Sequence, residues 1–261
     1  SVVCMLNFNT VNIFFITLLI GMIGYHFFQS IPLFSFFIML LVYLSLLFYG
    51  SYNVRSNFYL KTISAASTTR RAIAISFDDG PMPLYTPQIL RVLKAHDVQA
   101  AFFCIGKRIK ENEALLKQVY DEGHLIGNHS YSHDLWFDLF SAQKMYTDLR
   151  MMSDTMHKVT GVKPRLFRPP YGVTNPNLKK AIKKNNFIPI GWTVRSMDTV
   201  AKDADKLLAK VTGSLKPGAI VLFHDTSKAT LDMLPEFIQQ VRQKGYEIVR
   251  LDKLLNLEPY A

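Results

Sequence analysis

AIAISFDDGP, residues 72–81, is the segment that decides the fold of this chain. Six residues suited to a buried β-strand (72–77) run directly into two carboxylates, a glycine and a proline. From this point onward, short β-branched or aromatic runs alternate with longer amphipathic segments. The pattern predicts repeated strand–helix units built around a parallel sheet.

The alternation continues to the end of the chain. Further strands are predicted at 100–105, 125–127, 165–167, 187–194, 219–224 and 246–251. The predicted helices lie at 87–96, 111–123, 141–161, 176–185, 202–213 and 231–243. The alternation most simply predicts a closed α/β barrel, and because this part of the chain is short for eight strand–helix units, an incomplete or seven-stranded version is the alternative.

The N-terminal part of the sequence has a different composition. All 30 Lys and Arg and all 20 Asp and Glu follow residue 54, although the whole chain carries a net charge of +10. Residues 11–28 and 31–49 are almost entirely apolar, and each would form a helix about 27 Å long, enough to cross a bilayer. We therefore predict a transmembrane helical hairpin at 1–54, a linker at 55–70 and a second domain at 71–261.

The apolar segment fits a buried core helix or a cleaved signal peptide less well. A core helix would rarely run so long without a charge on any face, and a signal peptide would have a basic start and a shorter apolar run. The composition also excludes a disordered chain and a disulfide scaffold, because Cys4 and Cys104 are the only cysteines. Cys104 falls inside the second strand and is expected to be a small buried hydrophobic residue.

Residues of catalytic type follow several strands, where a parallel sheet collects its functional side chains. Asp78 and Asp79 end the first strand, and NHSYSH (128–133) follows the third. His129 and His133 are four residues apart, a spacing that suits a divalent metal with a carboxylate as third ligand and an open position for water. Three further strand ends carry FRPPYG (167–172), GWTVRSMD (191–198) and VLFHD (221–225).

This ordered set of motifs resembles carbohydrate esterase family 4, the NodB-type polysaccharide deacetylases, over about residues 71–254. The resemblance implies a distorted (β/α)7-type barrel and hydrolysis of N-acetyl groups from a polymer that contains N-acetylglucosamine. It also implies one divalent metal ion, with zinc as first choice and cobalt or nickel as alternatives.

The resemblance assigns a role to each matching residue. The metal ligands would be Asp79, His129 and His133. Asp78 would be the general base, held ionised by Arg168, and His224 the general acid, with Asp198 as its charged partner. The backbone N–H of Tyr171 would stabilise the oxyanion. The substrate-binding residues would be Pro169, Trp192 and Leu222, with Trp192 and Leu222 lining the pocket for the acetyl methyl group.

The segment from Trp192 to Asp198, which resembles the fourth family motif, departs from the family pattern. Arg195 stands where the family often has an Asp, and Thr199 where it often has a Trp. The substrate groove would therefore lose an aromatic wall and gain a cation.

The function expected from these features is that of a membrane-anchored deacetylase acting on peptidoglycan or another cell-envelope glycan. An O-acetyl esterase using the same site, or a catalytically silent glycan-binding protein, are the alternatives. The basic residues Arg55, Lys61, Arg70 and Arg71 favour a cytoplasmic domain by the positive-inside rule. The envelope substrate favours an extracytoplasmic domain, which we expect, with a monomeric catalytic domain. The sequence has no nucleic-acid-binding motif, and the net positive charge suits a basic surface or anionic envelope partners.

Overall fold

Two long apolar helices open the part of the chain described by the computed structural model, residues 6–201 and 203–261. They are α1 (Phe8–His26) and α2 (Leu33–Tyr52), and each is long and apolar enough to cross a membrane. Only 11% and 6% of the residues in their most apolar windows are buried, whereas a core helix would be mostly buried. Cys4, which precedes the first apolar segment, and Lys202, at the start of a predicted helix, lie outside the described residues.

The remainder forms the predicted α/β fold. Its strands are β1 (Ala72–Asp78), β2 (Ala101–Cys104), β3 (Leu125–Asn128), β4 (Leu166–Phe167), β5 (Ile188–Pro189), β6 (Val194–Arg195), β7 (Ile220–His224) and β8 (Glu247–Ile248). Its helices are α3 (Thr86–Ala95), α4 (Gly106–Glu111), α5 (Glu113–Asp121), α6 (Ala142–Thr160), α7 (Pro176–Asn185), α8 (Ala204–Gly213), α9 (Lys228–Gln243) and α10 (Leu251–Leu255).

The sheet is a curved half-barrel of parallel strands in the order β5-β4-β3-β2-β1-β7-β6, and β8 pairs with the start of β1. Every residue of β1 is buried, which explains why its sequence is continuously apolar up to Ser76. Within the described residues no strand pairing joins β5 to β6, so the barrel stays open there. The predicted distorted (β/α)7-type barrel preceded by two apolar helices is confirmed as this half-barrel.

Three predicted elements differ from the structure. The strand predicted at 187–194 is wrong, because the chain forms β5 and β6 on opposite edges of the sheet with a break between them. The helix predicted at 111–123 begins earlier and is divided into α4 and α5 at Asn112. The strand predicted at 246–251 shortens to β8 and continues into α10.

The segment predicted as a linker lies against the open side of the barrel. Ile63 donates its N–H to the carbonyl of Pro189 (2.9 Å) and accepts from the N–H of Gly191 (2.9 Å). Ala66 donates to the carbonyl of Gly218 at 2.9 Å. The side chain of Leu60 is buried in the apolar cluster that contains Phe167. This segment therefore lies across the gap between β5 and β6 without adding a strand to the sheet.

The end of α2 is fixed to the same domain. Thr174 donates its N–H to the carbonyl of Ser51 at 2.9 Å, and its hydroxyl to that of Gly50 at 3.3 Å. Val54, just after the helix, is buried against Trp192 and Leu222. The apolar hairpin and the barrel thus share a packed contact.

Replacing Gly50 with alanine tests how closely the segment after α2 packs on the end of that helix. A Cβ at Gly50 would collide with the ring of Phe58, which is buried beside it. We expect Gly50→Ala to lower the free energy of unfolding by about 1–3 kcal/mol, as overpacking does, measured by thermal unfolding of the full chain in detergent. The matched control is Gly24→Ala on α1, where a Cβ would meet nothing within 4 Å. Equal stability of the two variants would contradict the close packing of Phe58 on Gly50.

Candidate active site

Three side chains that could hold a metal ion meet at the carboxyl ends of β1 and β3. The Nε2 atoms of His129 and His133 lie 3.5 Å and 3.4 Å from Oδ1 of Asp79. One ligand atom from each of the three residues lies within 4.8 Å of the other two. Oδ1 of Asp79 is buried and has no hydrogen-bond partner, an arrangement that is costly without a cation. The donor set of one carboxylate and two imidazoles suits a divalent transition metal.

The backbone holds these candidate ligands in uncommon conformations. Asp79 has φ of 79° and His133 has φ of 45°, a left-handed region that non-glycine residues rarely occupy. Gly80 comes next, and a Cβ there would collide with the carboxylate of Asp225. Such conformations persist where the surrounding structure enforces them, as is common at functional sites.

The two imidazoles differ in their environments. His129 makes a 2.9 Å hydrogen bond through Nδ1 to the carbonyl of Arg168, which sets Nδ1 as the donor and turns Nε2 toward Asp79. Burial lowers the pKa of His133 to about 4, with His129 acting in the same direction, so His133 is neutral at pH 7. Burial also lowers the pKa of His129, but Asp78 and Asp79 outweigh it and raise the pKa overall. Binding of a cation requires a neutral imidazole, so it would oppose protonation of both histidines.

Asp78 is paired with a fully buried arginine. Nη1 of Arg168 donates to Oδ1 of Asp78 at 2.7 Å and to the hydroxyl of Ser76 at 2.8 Å. Oδ2 of Asp78 lies 3.9 Å from Nε2 of His129, beside the candidate metal ligands. One oxygen of Asp78 is therefore held by the guanidinium while the other faces the centre.

His224 stands next to Asp78 across the sheet. The parallel register of β1 and β7 pairs these two residues. Nδ1 of His224 lies 2.7 Å from Oδ1 of Asp198, and its backbone N–H donates to Oδ2 at 2.7 Å. Burial lowers the pKa of His224, but the hydrogen bond and charge of Asp198, with smaller contributions from Asp78 and Asp79, raise it to about 9. His224 is thus protonated at pH 7.

Tyr171 lines the same cavity as the candidate metal ligands. It has φ of 58°, and within the described residues its N–H has no hydrogen-bond acceptor. Its ring packs against that of His133, with centroids 4.7 Å apart. The N–H is therefore available to a ligand bound beside the candidate metal ligands.

These groups share a cavity of about 300 Å³. Pro169, Trp192 and Leu222 contribute apolar wall, and a Cβ at Gly172 would collide with the Trp192 ring. The guanidinium of Arg195 lies 5.6 Å from the centroid of the Trp192 ring, and Thr199 also lines the cavity. The structure thus brings every candidate site residue except Arg168 and Asp198 to the cavity wall, and those two bond to residues that line it.

Several residues that support the site are not among those predicted from the sequence. Ser196 donates to Oδ1 of Asp198 at 2.8 Å, and the hydroxyl of Thr230 donates to Oδ2. Asp225 is fully buried with a hydrogen bond from Thr86 at 2.6 Å, and burial raises its pKa to about 7. A signal for Asp225 existed, since it follows His224 directly in VLFHD. Thr230 has no local signal, because it lies on α9 far from Asp198 in the chain.

The sequence profile described as polysaccharide deacetylase matches residues 65–190. A peptidoglycan-N-acetylglucosamine deacetylase of Bacillus cereus is 35% identical over 190 residues, which cover 71% of this chain and 88% of that protein. This chain belongs to the polysaccharide deacetylase family, carbohydrate esterase family 4. The peptidoglycan-N-acetylglucosamine deacetylase PgdA of Listeria monocytogenes is 35% identical over 186 residues, 71% of this chain and 39% of that protein. The chain thus matches only about two fifths of the length of PgdA.

Solved structures agree with the family membership. The Bc1960 peptidoglycan N-acetylglucosamine deacetylase superposes with a TM-score of 0.72 at 29% identity, covering 77% of this chain and 95% of the other. BA3943 from Bacillus anthracis, described as a pseudoenzyme of the family, superposes with a TM-score of 0.70 at 30% identity, covering 75% and 69%. The deacetylase fold therefore occurs in both active and inactive proteins.

Removing one candidate ligand tests the metal centre. We expect His133→Ala to weaken zinc binding to the full chain by at least about 100-fold, measured by isothermal titration calorimetry, because the centre would lose one of three protein ligands. The control is His157→Ala, which removes an exposed histidine from α6. Unchanged zinc affinity in His133→Ala would contradict the assignment of this ligand.

Proposed function

We propose that this polysaccharide deacetylase is a membrane-anchored, metal-dependent hydrolase that removes N-acetyl groups from an envelope glycan containing N-acetylglucosamine, with peptidoglycan as first choice. The observation that carries the proposal is the convergence of three units on one cavity. These are the Asp79, His129 and His133 cluster, the Asp78–Arg168 pair and the His224–Asp198 pair. The named activity of the similar peptidoglycan deacetylases supports this substrate.

The proposed chemistry needs a metal because an amide is a poor electrophile. Asp79, His129 and His133 would hold one divalent ion, with zinc first and cobalt or nickel as alternatives. When bound, such an ion polarises the acetyl carbonyl and acidifies water. Residues of the chain itself would carry out the proton transfers and stabilise the oxyanion.

Asp78 is proposed as the general base. Arg168 holds one of its oxygens at 2.7 Å and leaves the other beside the metal ligands, so the carboxylate is oriented to accept a proton from the attacking water. The N–H of Tyr171 would donate a hydrogen bond to the tetrahedral oxyanion, while Trp192 and Leu222 enclose the acetyl methyl group. Pro169 adds rigid apolar wall.

His224 is proposed as the general acid. The departing sugar nitrogen must take up a proton, and a neutral imidazole with an occupied Nδ1 could not supply it. Asp198 binds Nδ1 and raises the pKa of His224 to about 9, so the proton is present at neutral pH. Asp78 and His224 thus perform opposite proton transfers from neighbouring positions on β1 and β7.

The two apolar helices are proposed to anchor the enzyme as a multi-pass membrane protein. Their side chains are mostly exposed, which in water would be unfavourable along two helices of 19 and 20 residues. The hydrogen bond from Thr174 to Ser51 of α2, and the packing of Val54 just after α2 on Trp192, support a retained anchor rather than a removed leader. We propose an extracytoplasmic catalytic domain, because the envelope glycans named for its relatives lie on that side. Protection of the domain from protease added to intact cells would contradict this orientation.

Acetate release by the full chain in detergent, with added zinc, tests the activity on peptidoglycan, chitooligosaccharides and acetylated xylan. We expect release from the N-acetylated glycans. Release from acetylated xylan alone would favour the O-acetyl esterase, and release from none would favour a silent glycan-binding protein. The presence of Asp78, Asp79, His129, His133 and His224 together opposes the silent alternative.

Asp78→Asn separates metal binding from turnover. The variant keeps the three proposed ligands but cannot accept a proton, so we expect zinc to bind while the rate of acetate release falls by about 10²–10⁴. Asp121→Asn, on the exposed face of α5, makes the same change of charge away from the cavity and is the control. Full turnover in Asp78→Asn would remove Asp78 as the base.

The pH dependence tests the role of Asp198. Activity needs protonated His224, so the rate should fall as pH rises through the pKa of about 9. In Asp198→Asn the charge that raises this pKa is lost, and we expect the alkaline limb of the kcat profile to move to lower pH. The control Asp232→Asn, on the exposed face of α9, should keep the original profile. An unmoved alkaline limb in Asp198→Asn would show that Asp198 does not set the proton affinity of His224.

A further inference from the structure

We propose that the loop after His133 rests on the membrane surface beside the anchor helices, through the side chains of Leu135, Trp136 and Leu139. We call these three residues the apolar ledge. The inference rests on the membrane anchoring that forms part of the proposed function. It adds a third contact with the lipid, at the mouth of the catalytic cavity.

The apolar ledge is exposed in a way that water disfavours. Leu135, Trp136 and Leu139 are 69%, 63% and 71% exposed within five consecutive residues. Clustered apolar side chains on a surface mark a contact with another molecule or a membrane, whereas single ones are ordinary.

The loop is held in place from beneath. Phe137, between the exposed residues, is 3% exposed and packs with Leu60 and Met145. The N–H of Trp136 donates to Oδ1 of Asp134 at 2.8 Å. The three side chains therefore project from a fixed support, which lowers the entropy lost when they bind a surface.

Two links connect this support to the anchor. Asn175 donates its side-chain amide to the carbonyl of Asp138 at 2.7 Å, and its neighbour Thr174 donates to the carbonyl of Ser51 in the last turn of α2. Leu60, which packs on Phe137, follows Tyr59, whose hydroxyl donates to the carbonyl of Leu47 in α2 at 3.2 Å. The ledge thus lies beside the end of the second apolar helix.

The end of α2 also indicates at which level of the bilayer the apolar ledge would lie. Tyr49 and Tyr52 are 52% and 61% exposed in its last turn, and tyrosine is enriched where hydrocarbon meets headgroups. Ser51, which binds Thr174, lies between them in the chain. The ledge is therefore at headgroup level, where Trp and Leu side chains partition favourably.

A lipid surface fits the ledge better than a sugar does. Trp136 alone could stack on a pyranose ring, but Leu135 and Leu139 offer no comparable flat face. Since His133 lies two residues before Leu135 and lines the cavity, the cavity would open close to the bilayer. The substrate would then be the glycan that lies against the membrane.

Fluorescence quenching tests the contact directly. The full chain is reconstituted in phosphatidylcholine vesicles with or without brominated acyl chains, and tryptophan emission is compared. The chain has two tryptophans, and Trp192 is 9% exposed inside the protein. We expect bromolipid to quench the wild-type emission and Trp136→Phe to lose most of that quenching.

The double variant Leu135→Ser with Leu139→Ser tests whether the ledge favours substrate that lies at the membrane. We expect a severalfold loss of acetate release from an N-acetylglucosamine oligosaccharide attached to a lipid in the vesicle, and little change with the free oligosaccharide. Leu84→Ser is the matched control, because Leu84 is 61% exposed on the loop after β1, two strands away in the sheet from β3.

The outcomes distinguish failure of the proposed ledge contact from failure of the proposed membrane anchoring. If the full chain does not float with the vesicles, the proposed anchoring is wrong and the ledge with it. If the chain floats but bromolipid quenches the tryptophan emission of wild type and Trp136→Phe equally, the proposed ledge contact is wrong and the proposed anchoring is retained. Equal losses on lipid-attached and free oligosaccharide in the double variant would also overturn the ledge.

Discussion

The buried guanidinium of Arg168 is the interaction on which the catalytic half of the structure depends. It is inaccessible to solvent, and it binds Asp78, Ser76 and the carbonyls of Ile190 and Gly191. A charge in this position costs several kcal/mol unless it is paired and fully hydrogen-bonded. The partners come from β1 and from the break between β5 and β6, so satisfying Arg168 fixes the first strand relative to the open side of the barrel.

Arg168 also connects the candidate base with the candidate metal centre. Its side chain holds Asp78, while its backbone carbonyl accepts from Nδ1 of His129. One residue therefore orients the carboxylate and sets the imidazole tautomer. On the other side of β1, Asp198 performs the corresponding task for His224. The functional side chains are thus oriented by hydrogen bonds to neighbouring residues of the chain itself.

The contact between the apolar helices and the barrel also supports the wall of the cavity. Val54 packs behind Trp192 and Leu222, and Thr174 lies two residues after Gly172 in the loop that carries Tyr171. The wall of the cavity is thus built partly on the end of α2. In a membrane enzyme this arrangement would fix the height of the cavity above the lipid, where a flexible linker would leave it variable.

Much of this protein could be predicted from the sequence, because the deciding patterns are local. Strand–helix alternation predicts the parallel sheet, absence of charge predicts the two long apolar helices, and DD, HSYSH and VLFHD place candidate residues at strand ends. The break within 187–194 has a local signal in Pro189 and Gly191, which interrupt strands, but the strand prediction did not use it. The break arises because Ile63, far away in the chain, pairs with Ile190 and Gly191 supplies a carbonyl to Arg168.

The sequence by itself determined the fold class, the apolar helices and the chemical types collected at the strand ends, since each depends on neighbouring residues. Only the tertiary structure decided which groups support them. Thr230 on Asp198, Ser76 on Arg168, Val54 behind Trp192 and the apolar ledge beside α2 all join residues distant in the chain. Such contacts depend on how the elements pack, and no local pattern of residues records that.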